Sequence, residues 1–462
     1  MRRLAVTSFV ALSAAAAWAA KPSPPRPRAL PAKAPPQAVT GAELTGPESS
    51  PVLAIRGVTL WDGTGAAPLP NACVVTEAGR IIAAGRLGRV KIPPGARVLS
   101  APAGTTLLPG FMDMHAHTSV HPGLMPYFLA NGVTSVRDLG CADTQLAGLK
   151  QYRADAPAGK QAGPRLFLSG PPLDGFPRAA NWFPGPSART NAEAEAAVDK
   201  LADDGVDVIK LYRRLSPTVA RVAIEEAHRR NLPVTWDYQW NYRYLAGAIN
   251  SGVDGLEHVY YSERTSATEY EQLAESIGAS RLWIDPTLVA FRPPDEAVSQ
   301  DGDFAHLPPS VPRFWRSLFW PMETDSEFAM MKGFVRRVHR HGGRLLVGTD
   351  SPVKYVAPGY ALHREMLLLA ECGLTPKEVL QAATRDAAEA LRKQADLGTV
   401  EVGKLADLVL INGNPLKDLH ATRNVRWVIL NGRLHDPKQL LEQARGNAPD
   451  VKLTLPPHLH GD

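Results

Sequence analysis

Leu107-Leu108-Pro109-Gly110-Phe111-Met112-Asp113-Met114-His115-Ala116-His117 is the stretch on which the fold turns. An apolar run is broken by Pro-Gly and re-forms as a short strand that ends in two histidines one residue apart. Side chains at i and i+2 of a strand point to the same side, so His115 and His117 can reach one point together. Neutral imidazole is the commonest metal ligand. Two polar residues at a strand end explain a lone His-x-His equally well, so the chemistry depends on what else the chain supplies.

On the N-terminal side of this stretch, Val52–Leu60, Ala72–Thr76, Arg80–Ala84 and Arg97–Leu99 are short runs rich in Val and Ile, punctuated by Gly, Asn and Asp. They read as hairpin strands. The same texture returns in Leu397–Val400, Asp407–Asn412, Val425–Leu430 and Gly432–Leu434. Neither group makes a core alone. Together they predict one β-sandwich built from both ends of the chain, residues 51–107 and 395–436.

Between them, over residues 108–394, strand and helix alternate. The strand ending at His115 is followed by Val133–Asp138, Arg165–Ser169, Val208–Tyr212, Leu232–Tyr238, Gly255–Val259, Leu282–Leu288 and Leu345–Gly348. Helical spacing covers Ala192–Asp204, Pro217–Arg230, Phe328–Gly342 and Pro376–Arg392. Eight strands separated by helices predict an α/β fold of the (β/α)8 TIM-barrel type, whose chemistry sits at the C-terminal strand ends. Two long connections, Pro171–Thr190 and Phe291–Asp325, carry Trp182, Trp315 and Trp320. They read either as walls of a substrate site or as irregular surface packing.

The 462 residues suit a large barrel with an accessory domain. Most of the net charge of +5 lies before residue 51, so the body is close to neutral and nothing points to nucleic acid. Residues 1–20 have the form of a secretory signal: Arg2 and Arg3, an apolar run, then Ala17-Trp18-Ala19. Residues 21–50 are rich in Pro and Ala and read as a disordered linker, and residues 437–462 as a C-terminal tail. The expectation is a periplasmic or secreted protein with no membrane span after signal cleavage. Cys73, Cys141 and Cys372 are too few for a disulfide framework and are expected as buried thiols.

Several chemistry-bearing residues fall at predicted strand ends beside His115 and His117: Lys210, His258 and Asp350. Taken singly, they read as a snorkelling lysine, a core histidine and a helix cap. Together at one end of one barrel they form a metal-site candidate.

At this point the sequence resembles the amidohydrolase superfamily, in its imidazolonepropionase-like and prolidase-like branch, over roughly residues 52–436. The resemblance is carried by Leu-Pro-Gly-Phe-Met-Asp-Met-His-Ala-His (108–117), Gly-Val-Thr-Ser-Val-Arg-Asp-Leu-Gly (132–140), Gly-Val-Asp-Val-Ile-Lys (205–210), Gly-Val-Asp-Gly-Leu-Glu-His (252–258), Gly-Thr-Asp-Ser-Pro (348–352) and Gly-Lys-Leu-Ala-Asp-Leu-Val-Leu (403–410). It implies a metal-dependent hydrolase with one or two divalent ions, often zinc. By the same resemblance His115 and His117 would bind the more buried ion, and Lys210, once carboxylated, would bridge to a second held by His258. Asp350 would bind the first ion and act as the proton carrier. Tyr212 matches a position often near the substrate carbonyl.

One position departs from the pattern. Where relatives usually place a histidine at the end of the fifth strand, this chain has Asp237, in Val234-Thr235-Trp236-Asp237-Tyr238-Gln239-Trp240. A carboxylate can hold a second ion, leave that position empty, or mark a chain that has lost activity. Aromatic residues alternate from Trp236 through Trp240 and Tyr242 to Tyr244. They fit a strand face packed on helices, or, past the strand end, a pocket for an apolar substrate. His363 is a further candidate, for a substrate carboxylate. The leading expectation is an exported enzyme cleaving an amide of the dipeptide or N-acyl amino acid type, acting on a small molecule. The alternatives are hydrolysis of a cyclic amide, lactone or ester, and a non-catalytic binding protein. The resemblance also leaves a homo-oligomer open.

Overall fold

Two-residue alternation decides where the strands bury their side chains. In Val52–Leu60, Leu53 and Ile55 enter an apolar cluster with Val74, Leu99 and Leu408, while Val52 and Ala54 enter a second with Cys73 and Val75. A strand buried on both faces lies inside a layered structure. The computed structural model describes residues 43–447 apart from 121, 180–182, 239–241, 260–261, 263–264, 294–303, 305–306 and 318–322. The predicted signal, most of the linker and residues 448–462 of the tail lie outside the described residues.

The flanking sheet has nine strands from both chain ends. Thr105–Pro109, just before the histidine strand, pairs antiparallel with Leu408–Asn412, Leu108 facing Val409. Leu408–Asn412 is also the hinge between the two layers: Leu408 and Leu410 point into the sheet's own core, and Val409 and Ile411 into that of the barrel. The Glu77-Ala78-Gly79-Arg80 turn closes its hairpin with Ala78 at φ 49° and Gly79 at φ 81°, the left-handed pair of a type I′ turn.

The eight barrel strands are Phe111–Ala116, Val133–Asp138, Arg165–Leu168, Ile209–Leu211, Val234–Trp236, Gly255–Glu257, Trp283–Asp285 and Arg344–Leu345. They pair in parallel as a group of three and a group of five. Backbone bonds join the groups at both seams. Leu173 N–H donates to Lys210 O at 2.9 Å, and Met114 N–H donates to Val347 O at 3.0 Å. Closing the barrel this way brings the first and eighth strands side by side.

Three expectations are corrected. Leu397–Val400 is a turn and not a strand, with Gly398 at φ 88°. Its Leu397 packs under the barrel and its Val400 in the sheet, so the segment spans two cores and cannot lie flat in either. The long helix Pro376–Arg392 is two, Pro376–Ala382 and Arg385–Ala390. The Ala383 carbonyl between them accepts the Met112 N–H at 2.9 Å, docking the first barrel strand instead of continuing the helix. The aromatic alternation does not run on as a strand: it stops at Trp236, and Tyr242–Ile249 is a helix.

All three cysteines are buried and free. Among the described residues no helix is long and apolar enough to cross a membrane.

Candidate metal centre

Barrel closure sets the site. The N–H groups of Thr349 and Asp350 both donate to the His115 carbonyl, at 3.2 and 2.7 Å, and His117 N–H donates to Ser351 O at 2.7 Å. These bonds lock the end of the eighth strand to the end of the first. The result is a convergence: His117 Nε2 lies 3.1 Å and His115 Nε2 3.6 Å from the same oxygen, Asp350 Oδ1. The three ligand atoms lie within 4.8 Å of one another. Two imidazole nitrogens and a carboxylate oxygen around one point are the donor set of a divalent cation such as zinc, so these residues fit the ion that the fold implies.

The site's electrostatics have the same sense. Burial, helped by Lys210, holds His115 far below the usual histidine range, so its imidazole is neutral. Burial alone would push the Asp350 carboxyl up. His115 and the hydrogen bond from His117 more than offset this and keep it ionised well below the usual range. A neutral imidazole beside an anionic carboxylate is the protonation state that metal binding requires. Asp350 and His258 both sit at positive φ, 62° and 67°. Each left-handed non-glycine residue costs about 1–3 kcal/mol, strain that clusters at functional sites.

Behind His115 stands a buried support that sequence reading did not single out. His115 Nδ1 donates to Glu257 Oε2 at 2.8 Å. Glu257 Oε1 accepts from Arg137 at 2.6 Å and from the Thr235 hydroxyl. Arg137 also donates to the Met114 carbonyl at 2.5 Å and reaches Asp285 at 3.4 Å. A carboxylate on the far nitrogen fixes the tautomer that leaves Nε2 free for a metal. Gly348 makes room for this layer, because a Cβ there would meet Asp285 Oδ2 at 2.2 Å. His115, Glu257 and Asp285 also cluster closely enough to hold a cation, but Arg137 already supplies the positive charge there. The signals were available: Glu257 adjoins His258, and Arg137 and Asp138 lie in the quoted 132–140 run. Asp138 accepts from Thr118 N at 2.7 Å, from the Thr118 hydroxyl and from Gly140 N at 3.1 Å, shaping the turn beside His117.

Lys210, Asp237 and His258 lie next to the first group. The His258 ring is 4.6 Å from that of His115, its Nδ1 is 2.7 Å from the Thr287 hydroxyl, and its Nε2 is 3.7 Å from Asp237 Oδ2. Burial lowers the Lys210 ammonium, against the pull of Glu257 and Asp237. Asp237 does not face this group alone. Arg213 donates to both its oxygens, Nε to Oδ1 at 3.1 Å and Nη2 to Oδ2 at 3.3 Å. Burial would raise the Asp237 carboxyl, but Arg213 first, then His258 and Lys210, hold it below its usual value. Burial pushes the neighbouring Tyr212 phenol well up, with the charges of Asp237 and Asp350 adding to it, so it stays an O–H donor. The connection 171–190 supplies one wall: Phe183 stacks on His117 with ring centres 4.8 Å apart.

His363 is not brought to this cluster. His363 is fully buried in the helix Tyr360–Glu371, its Nε2 3.0 Å from the Asn131 carbonyl and its ring 5.9 Å from Phe111, at the opposite end of the first barrel strand. It packs the barrel's floor and cannot meet a substrate at the mouth. Tyr242 opens a helix, and Trp240 lies outside the described residues.

This barrel and its clasping sheet define a class of metal-dependent hydrolases, and comparison places the chain within it. Residues 106–435 match the amidohydrolase family. The chain belongs to that family. An imidazolonepropionase of Sphingopyxis alaskensis is 31% identical over 161 residues, 34% of this chain and 35% of the relative, so the chain spans about a third of that relative's length. A solved candidate prolidase from Bifidobacterium longum is 26% identical with a TM-score of 0.67, over 85% of this chain and 98% of that one. A solved Xaa-Pro dipeptidase with bound methionine shares the fold at 22% identity and a TM-score of 0.66, over 83% of this chain and 100% of that one.

Proposed function

We propose that this chain hydrolyses an amide bond in a small molecule of the dipeptide or N-acyl amino acid type, and that it does so outside the cytoplasm. The observation that carries the reaction is the convergence of two histidine nitrogens on one Asp350 oxygen at the C-terminal end of the barrel strands. The likeness to a candidate prolidase supports the substrate class, and the form of residues 1–20 supports export.

We assign His115, His117 and Asp350 a divalent ion, zinc first among candidates by ligand type. Such an ion lowers the pKa of a water and polarises a carbonyl. Asp350, held anionic, takes one proton from the attacking water as its oxygen adds to the carbonyl carbon. It returns that proton to the nitrogen as the C–N bond breaks, leaving an acid and an amine. The Tyr212 hydroxyl donates to the substrate carbonyl, and Glu257 holds His115 in register.

The purified chain, loaded with zinc, manganese or cobalt, is to be assayed against dipeptides, N-acyl amino acids, cyclic amides and lactones. Turnover of the first two classes is expected. Failure of every class with the metal bound sinks the reading, and turnover confined to rings or esters transfers the assignment to them. Sequencing the N-terminus of the exported protein should find it shortened by about twenty residues.

A further inference from the structure

The fork between Arg213 and Asp237 stands where a second metal ion would need its ligand. We infer that this pair occupies the second position in place of an ion, so that the chain holds one metal, between His115, His117 and Asp350. The inference rests on the metal reading above and concerns how many ions the site takes.

The geometry is that of a completed ion pair. Both Asp237 oxygens accept from one guanidinium, Nε and Nη2 at 3.1 and 3.3 Å. A planar fork on a carboxylate is the strong, bidentate form of this bond. Arg213 is charged at every accessible pH, and Asp237 is almost fully buried, its side chain 3% exposed. An ion coordinated by Asp237 would sit about 2 Å from a carboxylate oxygen and so within a few ångströms of a permanent positive charge in a poorly solvated place.

Charge balance separates the two positions. His115, His117 and Asp350 offer one carboxylate and two imidazole nitrogens to a divalent ion. The second set offers Asp237, His258 and Lys210. The Asp237 charge is already cancelled by Arg213. Glu257, the next carboxylate toward Lys210, is engaged by Arg137 at 2.6 Å. Carboxylating Lys210 would add an anion, but with Asp237 held by Arg213 the set then offers only the His258 imidazole beside it to hold the ion it would bridge to. Lys210 therefore stays an amine beside two satisfied carboxylates. The same arrangement explains how an aspartate is tolerated at the end of the fifth strand: its charge is matched by the arginine three residues after Lys210.

The test counts ions. The full chain is stripped, reloaded with Mn(II), desalted, and measured by elemental analysis and electron paramagnetic resonance. One manganese per chain with an isolated-ion spectrum is expected. Two per chain with a coupled spectrum would overturn the single-ion inference and leave the metal site standing. None would overturn the reading beneath it. In Arg213→Gln combined with Asp237→His, which removes the pair and restores an imidazole, a second ion is expected. A variant folded by circular dichroism that still binds one ion would overturn the role given to Arg213. Arg213→Lys keeps the charge and is expected to stay at one; two ions there would also overturn that role. The wild-type count decides the central point even if a variant does not fold.

Discussion

His115 works because of what stands behind it. Its Nε2 faces Asp350 while Nδ1 is committed to Glu257, itself held by Arg137 and Thr235. His117 lacks such support among the described residues: its buried Nδ1 has no hydrogen-bond partner there, and its ring rests on Phe183. The two ligands should therefore respond differently to change around them. Glu257→Gln keeps the shape but removes the charge that orients His115 and balances Arg137. Loss of such an outer carboxylate typically costs 10–100-fold in metal affinity. Competition with a chelating dye should show a drop of that size, with activity largely recovered at saturating metal. An unchanged affinity would mean that Glu257 serves the fold alone.

At the level of elements, local pattern and function were legible to different degrees. The hairpins, the eight strands and the strand-end placement of His115, His117, Lys210, His258 and Asp350 follow from alternation and turn residues. The helix Ala267–Ala279 was not read from the pattern, although Ser266 and Glu269 form a capping box at its start. The break between Pro376–Ala382 and Arg385–Ala390 was not legible, because its cause is a carbonyl used by a strand far away in sequence. The Arg213 fork on Asp237 was invisible for a similar reason: 24 residues separate them, and the parallel pairing of Ile209–Leu211 with Val234–Trp236 makes them neighbours. Leu408–Asn412 shows what one strand can carry. Leu410 is fully buried on the face away from the barrel and pairs with Leu107 and Trp427. Leu410→Ala should cost about 2–5 kcal/mol of stability, read as a lower urea midpoint, with kcat at 25 °C nearly unchanged because the barrel-facing Val409 and Ile411 are untouched. A large fall in kcat would tie the sheet to the chemistry directly.

For the whole molecule, two groups on the helix Tyr360–Glu371 limit the pH range from opposite sides. Burial, with Arg423 adding, lowers His363 to about 3. The unfolded chain binds its proton near 6.5, so this stability is present above 6.5 and is lost as pH falls toward 3. By pH 5 the loss reaches about 2 kcal/mol. Burial raises Glu365 to about 8, although Leu288 and Val289 N–H groups donate to it. Its contribution is present below the ordinary glutamate range and is lost as pH rises through 8. The two terms nearly offset each other between the ordinary glutamate and histidine ranges, so urea midpoints measured from pH 3 to 9 should describe a flat-topped dome. His363→Gln should flatten the acid limb and Glu365→Gln the alkaline one; parallel shifts of the whole curve would contradict both assignments.

The pairing of Thr105–Pro109 with Leu408–Asn412 also has a consequence for how the chain is made. A ribosome delivers residues in order, and this sheet waits roughly three hundred residues for its partner strand. Contacts so distant along the chain slow folding, since a large loop must close before they stabilise anything. Until the last strands emerge, the first ones have open edges and an unfinished core. Final consolidation of this sheet therefore waits until Leu408–Asn412 and Val425–Leu430 have been made.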